Sequence, residues 1–182
     1  MENSVVVLNF SPRSSGNCQS ISQFIADYFS ESNVRLFSVG MEPCSGCDYE
    51  CLRRGAECPK CSDDQIKLMD AIVNASEVYY VVPNFCGYPC ANYFAFNERS
   101  VGYFNGDRKK MQEYMAVKKR FVIVSNTEDD SFVKAMAQQV QGTPEMFYMK
   151  TSKYKKVSIA GDMLESEEAR ADLMEFLRKR GM

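Results

Sequence analysis

The order of apolar runs in this chain predicts an open, doubly wound α/β fold, a five-stranded parallel sheet with helices on both faces. Three observations carry that prediction. The strand-like runs are short and almost continuously apolar, as strands buried on both sides must be. Segments with helical apolar spacing alternate with them along the whole chain. Parallel neighbours need long crossovers, and helices in those crossovers cover both faces of the sheet.

Val5-Val6-Val7-Leu8-Asn9-Phe10 reads as the first buried strand, ending in a Ser-Pro loop. A helix from about Cys18 to Phe29 follows, with Ile21, Phe24, Ile25, Tyr28 and Phe29 on one face. Val34 to Val39 reads as the second strand, and 41–62 is a cysteine-rich loop. Ser62-Asp63-Asp64 then caps a helix carrying Ile66, Leu68, Met69, Ala71, Ile72 and Val73. Val78 to Val82 is a third strand broken by Pro83, and a helix from about Cys90 to Tyr103 follows its loop. Phe121 to Val124 is the fourth strand, 130–140 a helix and Glu145 to Met149 the fifth strand. A terminal helix over Glu165 to Arg180 turns Ala169, Leu173, Phe176 and Leu177 inward. Sheets of this kind bind ligands at the carboxyl ends of their strands, so the walls of a site should begin at Ser11, Pro83 and Ser125.

The 182 residues are 45% hydrophobic and 25% charged, a globular balance with no internal repeat or linker, so 1–182 is expected to be one domain with the cysteine-rich loop as an insertion. A net charge of −2 lacks the broad positive field of a nucleic-acid binder. The local basic runs Arg108 to Lys110, Lys118 to Arg120, Lys153 to Lys156 and Arg178 to Arg180 read as solvated helix ends or loops. No run of eighteen apolar residues is present, and the first residues lead directly into a strand, which predicts a cytoplasmic protein without a membrane segment. Histidine is absent, which removes Ser-His-Asp and Cys-His nucleophile pairs and every His-containing zinc site. Chemistry supplied by a cofactor, with no catalytic side chain, gains weight accordingly.

The loop after the first strand offers the hydroxyls of Ser11 and Ser15, the Arg13 guanidinium, amides freed by Gly16, and the start of a helix at Asn17 and Cys18. Those groups suit a phosphate monoester. The loop is no Walker motif and lacks the spaced glycines of a dinucleotide fingerprint, which points to a mononucleotide. A plain strand-to-helix turn would look the same. The segment Asn9 to Gln19 resembles the phosphate loop of the flavodoxin-like NADPH-dependent FMN reductase family, with its Gly-Ser-Pro-Arg-x-x-Gly-Asn-Ser/Thr pattern. Phe10 stands here for Gly, and Cys18 for the Ser or Thr.

Pro83 to Arg99 is similar to the same family's Pro-x-Tyr-x-Gly-x-x-Ser-Ala-x-x-Lys-x-Phe-x-Asp-Arg. Pro83, Gly87, Ala91, Phe96 and Arg99 match, while Phe85, Cys90 and Glu98 are close substitutions and Phe94 replaces Lys. The resemblance implies non-covalent FMN, with Ser11, Arg13, Ser15, Gly16, Asn17 and Cys18 at its phosphate. Pro83, Asn84, Phe85, Cys86 and Gly87 would face its ring, and Asn126 would lie in a third wall formed by Ser125 to Glu128. Tyr93, Phe94 and Phe96 read as core, whereas Phe85 and Tyr88 could flank a ring or simply pack.

Pro43-Cys44-Ser45-Gly46-Cys47 resembles a motif of these flavoproteins, and Cys58 with Asp63-Asp64 fits its continuation. The compact C-x2-C-x2-C form of the iron-sulfur flavoprotein branch holds a [4Fe-4S] cluster. Here Cys44, Cys47, Cys51, Cys58 and Cys61 give C-x2-C-x3-C-x6-C-x2-C. Four of the five could hold that cluster, two C-x2-C pairs could hold zinc, or the thiols could be free or redox-active near the flavin.

The expected function is an FMN-binding oxidoreductase that passes electrons from NAD(P)H to a small acceptor such as a flavin, a quinone or an iron species. The alternatives are an iron-sulfur flavoprotein carrying electrons to a protein partner, and a zinc-stabilised binding module. The resemblance also implies a homodimer or homotetramer, with a neighbouring chain over the flavin.

Overall fold

Both faces of the central strands are apolar. Val5 and Val7 point to one side of the sheet while Val6 and Leu8 point to the other; Tyr79 and Val81 oppose Val78, Tyr80 and Val82 in the same way. A strand with two apolar faces has to be covered twice. The computed structural model, which describes residues 4–44, 47–53, 58–60, 63–128, 130–157 and 160–179, shows how.

The strands are β1 (Ser4–Asn9), β2 (Asn33–Ser38), β3 (Glu77–Phe85), β4 (Tyr88–Pro89), β5 (Lys118–Val124) and β6 (Glu145–Met149). The helices are α1 (Asn17–Tyr28), α2 (Gln65–Val73), α3 (Ala91–Phe104), α4 (Arg108–Ala116), α5 (Asp130–Ala137) and α6 (Glu167–Arg178). Five strands pair in parallel in the order β2-β1-β3-β5-β6, and β4 pairs antiparallel with the end of β3. Helices α2 to α5 fill one face, around Leu68, Ile72, Tyr93, Phe96, Tyr114 and Phe132. Helices α1 and α6 fill the other, with Ile21, Ile25, Leu173 and Leu177. The chain changes direction across the sheet between β1 and β3, which opens a crevice at their carboxyl ends. None of the described helices is long and apolar enough to cross a membrane.

The structure adds α4 to the predicted elements. This helix is mostly polar and buries only Tyr114, so its apolar period is too weak to detect. Its boundaries were nonetheless written in the sequence: Asn105 ends α3 in the left-handed region at φ 42°, and the Asp107 side chain caps α4 by accepting from the Lys110 amide at 3.1 Å. The third strand does not stop at Pro83. It continues to Phe85 and returns through Cys86 (φ 53°) and Gly87 (φ 87°) as a two-residue hairpin turn. Phe94, expected in the core, is 43% exposed. Ser62 and Asp129 lie outside the described residues, as does Arg180 at the predicted end of α6.

A larger correction concerns Lys118 to Arg120, expected as a solvated run. These residues begin β5, with Lys119 only 3% exposed and Arg120 fully buried. Arg120 reaches the end of α6, donating to the Phe176 and Leu177 carbonyls, and pairs with Glu145 across the strand. A cation at a helix C-terminus opposes the helix dipole and satisfies carbonyls that lack intrahelical donors. Lys119 points to the opposite face, donates to the Tyr114 and Val117 carbonyls, and lies 4.0 Å over the Tyr114 ring.

Burial pulls the Lys119 amine down from 10.5 to about 7. Between those values the unfolded chain holds a proton that the folded chain does not, so Lys119 makes stability rise with pH across the window and fall as pH drops towards 7. Lys119→Met should remove a slope of at most about 1.4 kcal/mol per pH unit. Urea unfolding at pH 7 and pH 9 checks this: the native chain should gain more stability between the two than the variant.

Candidate functional site

Four strand ends converge on one cavity of about 660 Å³. Its lining contains all twelve residues that the sequence singled out for a cofactor: Ser11, Arg13, Ser15, Gly16, Asn17, Cys18, Pro83, Asn84, Phe85, Cys86, Gly87 and Asn126. Val124, Ser125, Thr127 and Thr151 complete it. Thr151 comes from the loop after β6, which carries no motif, so its place in the wall follows only from the position of β6 beside β5.

The first loop is shaped from below. Phe10, which replaces the small residue of the resembled motif, is fully buried and stacks on Tyr80 at 5.5 Å, with Tyr93 and Phe96 edge-on. Its carbonyl accepts from the Cys90 thiol at 3.1 Å and from the Asn92 amide at 3.2 Å, which ties the loop to the start of α3. Asn9 accepts from the Ser11 amide at 3.0 Å and donates to Gln19 at 2.9 Å. Gly16, at φ 112°, begins α1, and no side chain caps that helix. With glycine at the N-cap position, the start of a twelve-residue helix carries no capping side chain of its own and opens onto the cavity wall.

A second segment locks this geometry. A side chain on Gly161 (φ 78°) would come within 3.1 Å of Gly16 Cα, so two glycine backbones meet where nothing larger fits. Ser20 donates to the Gly161 carbonyl at 3.1 Å. The Asn17 side chain is engaged in the same place, donating to the Val157 carbonyl at 3.2 Å and accepting from the Met163 amide at 2.9 Å. Asn17 thus lines the cavity while its side chain braces the loop.

The other walls are similarly cross-linked. Asn84 donates to Ser125 at 2.5 Å and to Thr127 at 3.0 Å, and accepts from the Gly87 amide at 2.8 Å. One side chain therefore holds the hairpin turn and joins it to the loop after β5. Asn126 accepts from Thr151 at 2.7 Å and from the Ser152 amide at 2.9 Å, joining the loops after β5 and β6. Phe85 and Tyr88 stand exposed at the hairpin, 47% and 60% respectively.

Among the described lining residues Arg13 carries the only formal positive charge and no carboxylate is present. Arg13 is exposed, and no other described residue pairs with it. Burial first, and then the nearby Cys90 sulfur, push the Cys18 thiol up to about 12 against the opposing pull of Arg13. Cys18 is thus a neutral group and would not repel an anion. The described lining residues include no carboxylate, and the chain has no histidine, so the described wall lacks the commonest general acids and bases.

The cysteine segment lies elsewhere. Arg99, which matches the end of the resembled loop motif, is buried under that segment and not at the cavity; it pairs with Asp63 and lies 3.7 Å from Cys58 Sγ. No group of three or more Cys, Asp or Glu residues among the described ones is arranged to hold a metal. The expectation of a metal at Cys44, Cys47, Cys51 and Cys58 is therefore without support, and Cys61 lies outside the described residues.

Solved structures share this architecture. The apo form of an NADH:FMN oxidoreductase (EMOB) is 14% identical, with a TM-score of 0.56 over 96% of this chain and 88% of that one. Smu.1420 from Streptococcus mutans UA159 is 10% identical, with a TM-score of 0.65 over 96% and 99%. The flavoenzyme NAD(P)H:(acceptor) oxidoreductase FerB from Paracoccus denitrificans is 10% identical, with a TM-score of 0.51 over 98% and 96%. The fold is flavodoxin-like. No protein-family model and no curated protein matches the chain.

The two polar side chains of the first loop should separate in their effects. Asn17→Ala should cost about 1–3 kcal/mol, because it leaves the buried Met163 amide without its acceptor. Arg13→Ala should stay within about 0.5 kcal/mol of the native chain, as changes at unpartnered exposed positions do. Urea denaturation midpoints measure both.

Proposed function

We propose that this chain is an FMN-dependent oxidoreductase that takes electrons from NAD(P)H and delivers them to a small acceptor such as a flavin, a quinone or an iron species. One observation carries the reading: a helix N-terminus with glycine at its N-cap and the Arg13 cation meet in a cavity at the switch point of a flavodoxin-like sheet, with no carboxylate among the described lining residues. NADH:FMN oxidoreductase and NAD(P)H:(acceptor) oxidoreductase occur among proteins of the same fold, which supports the assignment.

FMN bound here would supply the hydride and single-electron chemistry that the lining side chains lack. In this reading the first amides of α1, with Arg13, Ser11 and Ser15, hold the phosphate. Cys18 remains a neutral thiol beside it. The hairpin from Pro83 to Gly87 presents its backbone to the ring system, and Asn84 keeps that backbone in place through Ser125 and Thr127. Phe85 and Tyr88 offer exposed aromatic faces against which a second planar substrate can stack and exclude water. A second copy of the chain covering these rings and Phe94 would make the site complete, giving a homodimer or homotetramer.

The test is direct. The purified chain should bind FMN stoichiometrically, with a flavin absorption spectrum, and should oxidise NADH or NADPH in the presence of a quinone or free flavin. Arg13→Ala should weaken FMN binding at least about tenfold, the loss of one charge-assisted contact. A colourless protein that FMN does not perturb would overturn the proposal. Size-exclusion chromatography with light scattering tests the assembly, which Phe85→Ser with Tyr88→Ser should loosen.

A further inference from the structure

The cysteine segment and the far half of α3 meet at a point that the proposed function does not use. Gly102 lies on the helix at that point. A side chain there would have its Cβ 3.4 Å from Cys51 Cβ, 3.6 Å from Cys58 Cβ and 3.8 Å from Cys51 Sγ. Two cysteines seven positions apart in sequence therefore sit against one bare spot on a helix. Burial raises the Cys51 pKa above its ordinary value, and the sulfurs of Cys58, Cys44 and Cys47 raise it further.

Arg99, one turn before Gly102, fixes a positive charge in this group. It is 3% exposed, bonds to the Lys60 carbonyl at 2.7 Å, pairs with Asp63, and lies 3.7 Å from Cys58 Sγ. Cys58 is part-exposed and Cys51 is buried behind it. The thiols are far from the flavin cavity: Gly102 is about three helical turns beyond Cys90, roughly 18 Å along α3. Cys51 and Cys58 therefore sit at the end of α3 remote from the cavity.

We propose that Cys51 and Cys58 form a reversible disulfide, with hydrogen peroxide as the oxidant. The accessible sulfur of Cys58 attacks one peroxide oxygen, with the Arg99 guanidinium as counter-charge. An S–O bond forms, the O–O bond breaks, and the departing oxygen leaves as water with the thiol proton. The Cys51 sulfur then attacks the Cys58 sulfenic sulfur. The S–S bond forms, the S–O bond breaks, and a second water carries off the remaining proton. Each sulfur gives up one electron and the peroxide accepts two. A small-molecule dithiol reverses the reaction by thiol exchange. The bond would fasten the segment around Cys51 to that around Cys58 over the face of α3, leaving the cavity loops untouched.

The test reads mass, so it succeeds or fails independently of any flavin. Trypsin cuts at Arg53 and Arg54, placing Cys51 in peptide 36–53 and Cys58 in peptide 55–60. After stoichiometric peroxide and alkylation of the remaining thiols, the two peptides should appear as one dithiol-sensitive species, with fragmentation locating the bond at Cys51. Cys44→Ser with Cys47→Ser should keep the cross-link. Gly102→Leu retains every thiol but fills the bare spot against which both β-carbons lie, and should lower the yield at least about fivefold, since disulfide geometry tolerates little displacement. A Cys44–Cys47 bond as the first product would overturn the proposal. So would sulfinic acid at Cys58 without a cross-link, or thiols blocked by zinc or iron until a chelator is added.

Discussion

The structure depends on a parallel sheet whose two faces are both buried. Parallel neighbours cannot be joined by tight turns, so every strand feeds a crossover, and all five parallel strands end on the same edge. That edge is where backbone amides and loop side chains remain available for a ligand. The cavity is the place where the crossovers after β1 and β3 diverge to opposite sides, so its position was determined before any lining residue was chosen. Tyr79 and Tyr80, adjacent in one strand and both fully buried on opposite faces, show how strictly the double burial is kept.

Shape within the crevice comes from short polar bridges between loops. Asn84, Asn126 and Asn17 each join two segments distant in sequence; Asn84 and Asn17 both donate and accept, while Asn126 accepts twice. The contact between Gly16 and Gly161 does the same with backbone alone. The result is a preformed cradle in which an anion would meet fixed dipoles rather than reorganising side chains. Among its described residues the cradle carries one cation and no carboxylate, electrostatics that suit a phosphate.

Buried basic residues serve the scaffold at the opposite end of the sheet. Arg120 joins β3, β5 and β6 to the end of α6, while Lys119 is held by the backbone carbonyls at the end of α4. Arg99 plays a comparable part for the cysteine segment, fastening it to α3. It belongs to the same run as Pro83 and Gly87, yet it works at the other end of the helix. A continuous sequence motif thus serves two separate places because a helix of fourteen residues carries its ends about 20 Å apart.

The amino-acid sequence by itself determined the doubly wound class, five parallel strands within a few residues, and all twelve cofactor candidates that meet in the cavity. These features are local: apolar runs mark strands, and a Ser-Pro-Arg or Pro-x-Phe loop directly follows the strand that positions it. Tertiary structure decided what depends on partners far along the chain. It placed Thr151 in the wall, because only the pairing of β6 with β5 brings that loop to the cavity. It buried Arg120, because carbonyls at the end of α6 and the Glu145 carboxylate make burial of a cation tolerable, and Lys119, whose amine donates to carbonyls at the end of α4 and gives up its proton more readily there; charge alone reads as solvated. It made α4 a helix with a single buried anchor, and it set Cys51 beside Cys58 on Gly102. Side chains are assigned to an inside or an outside by their neighbours in space, and the residues that supply those neighbours lie tens of positions away.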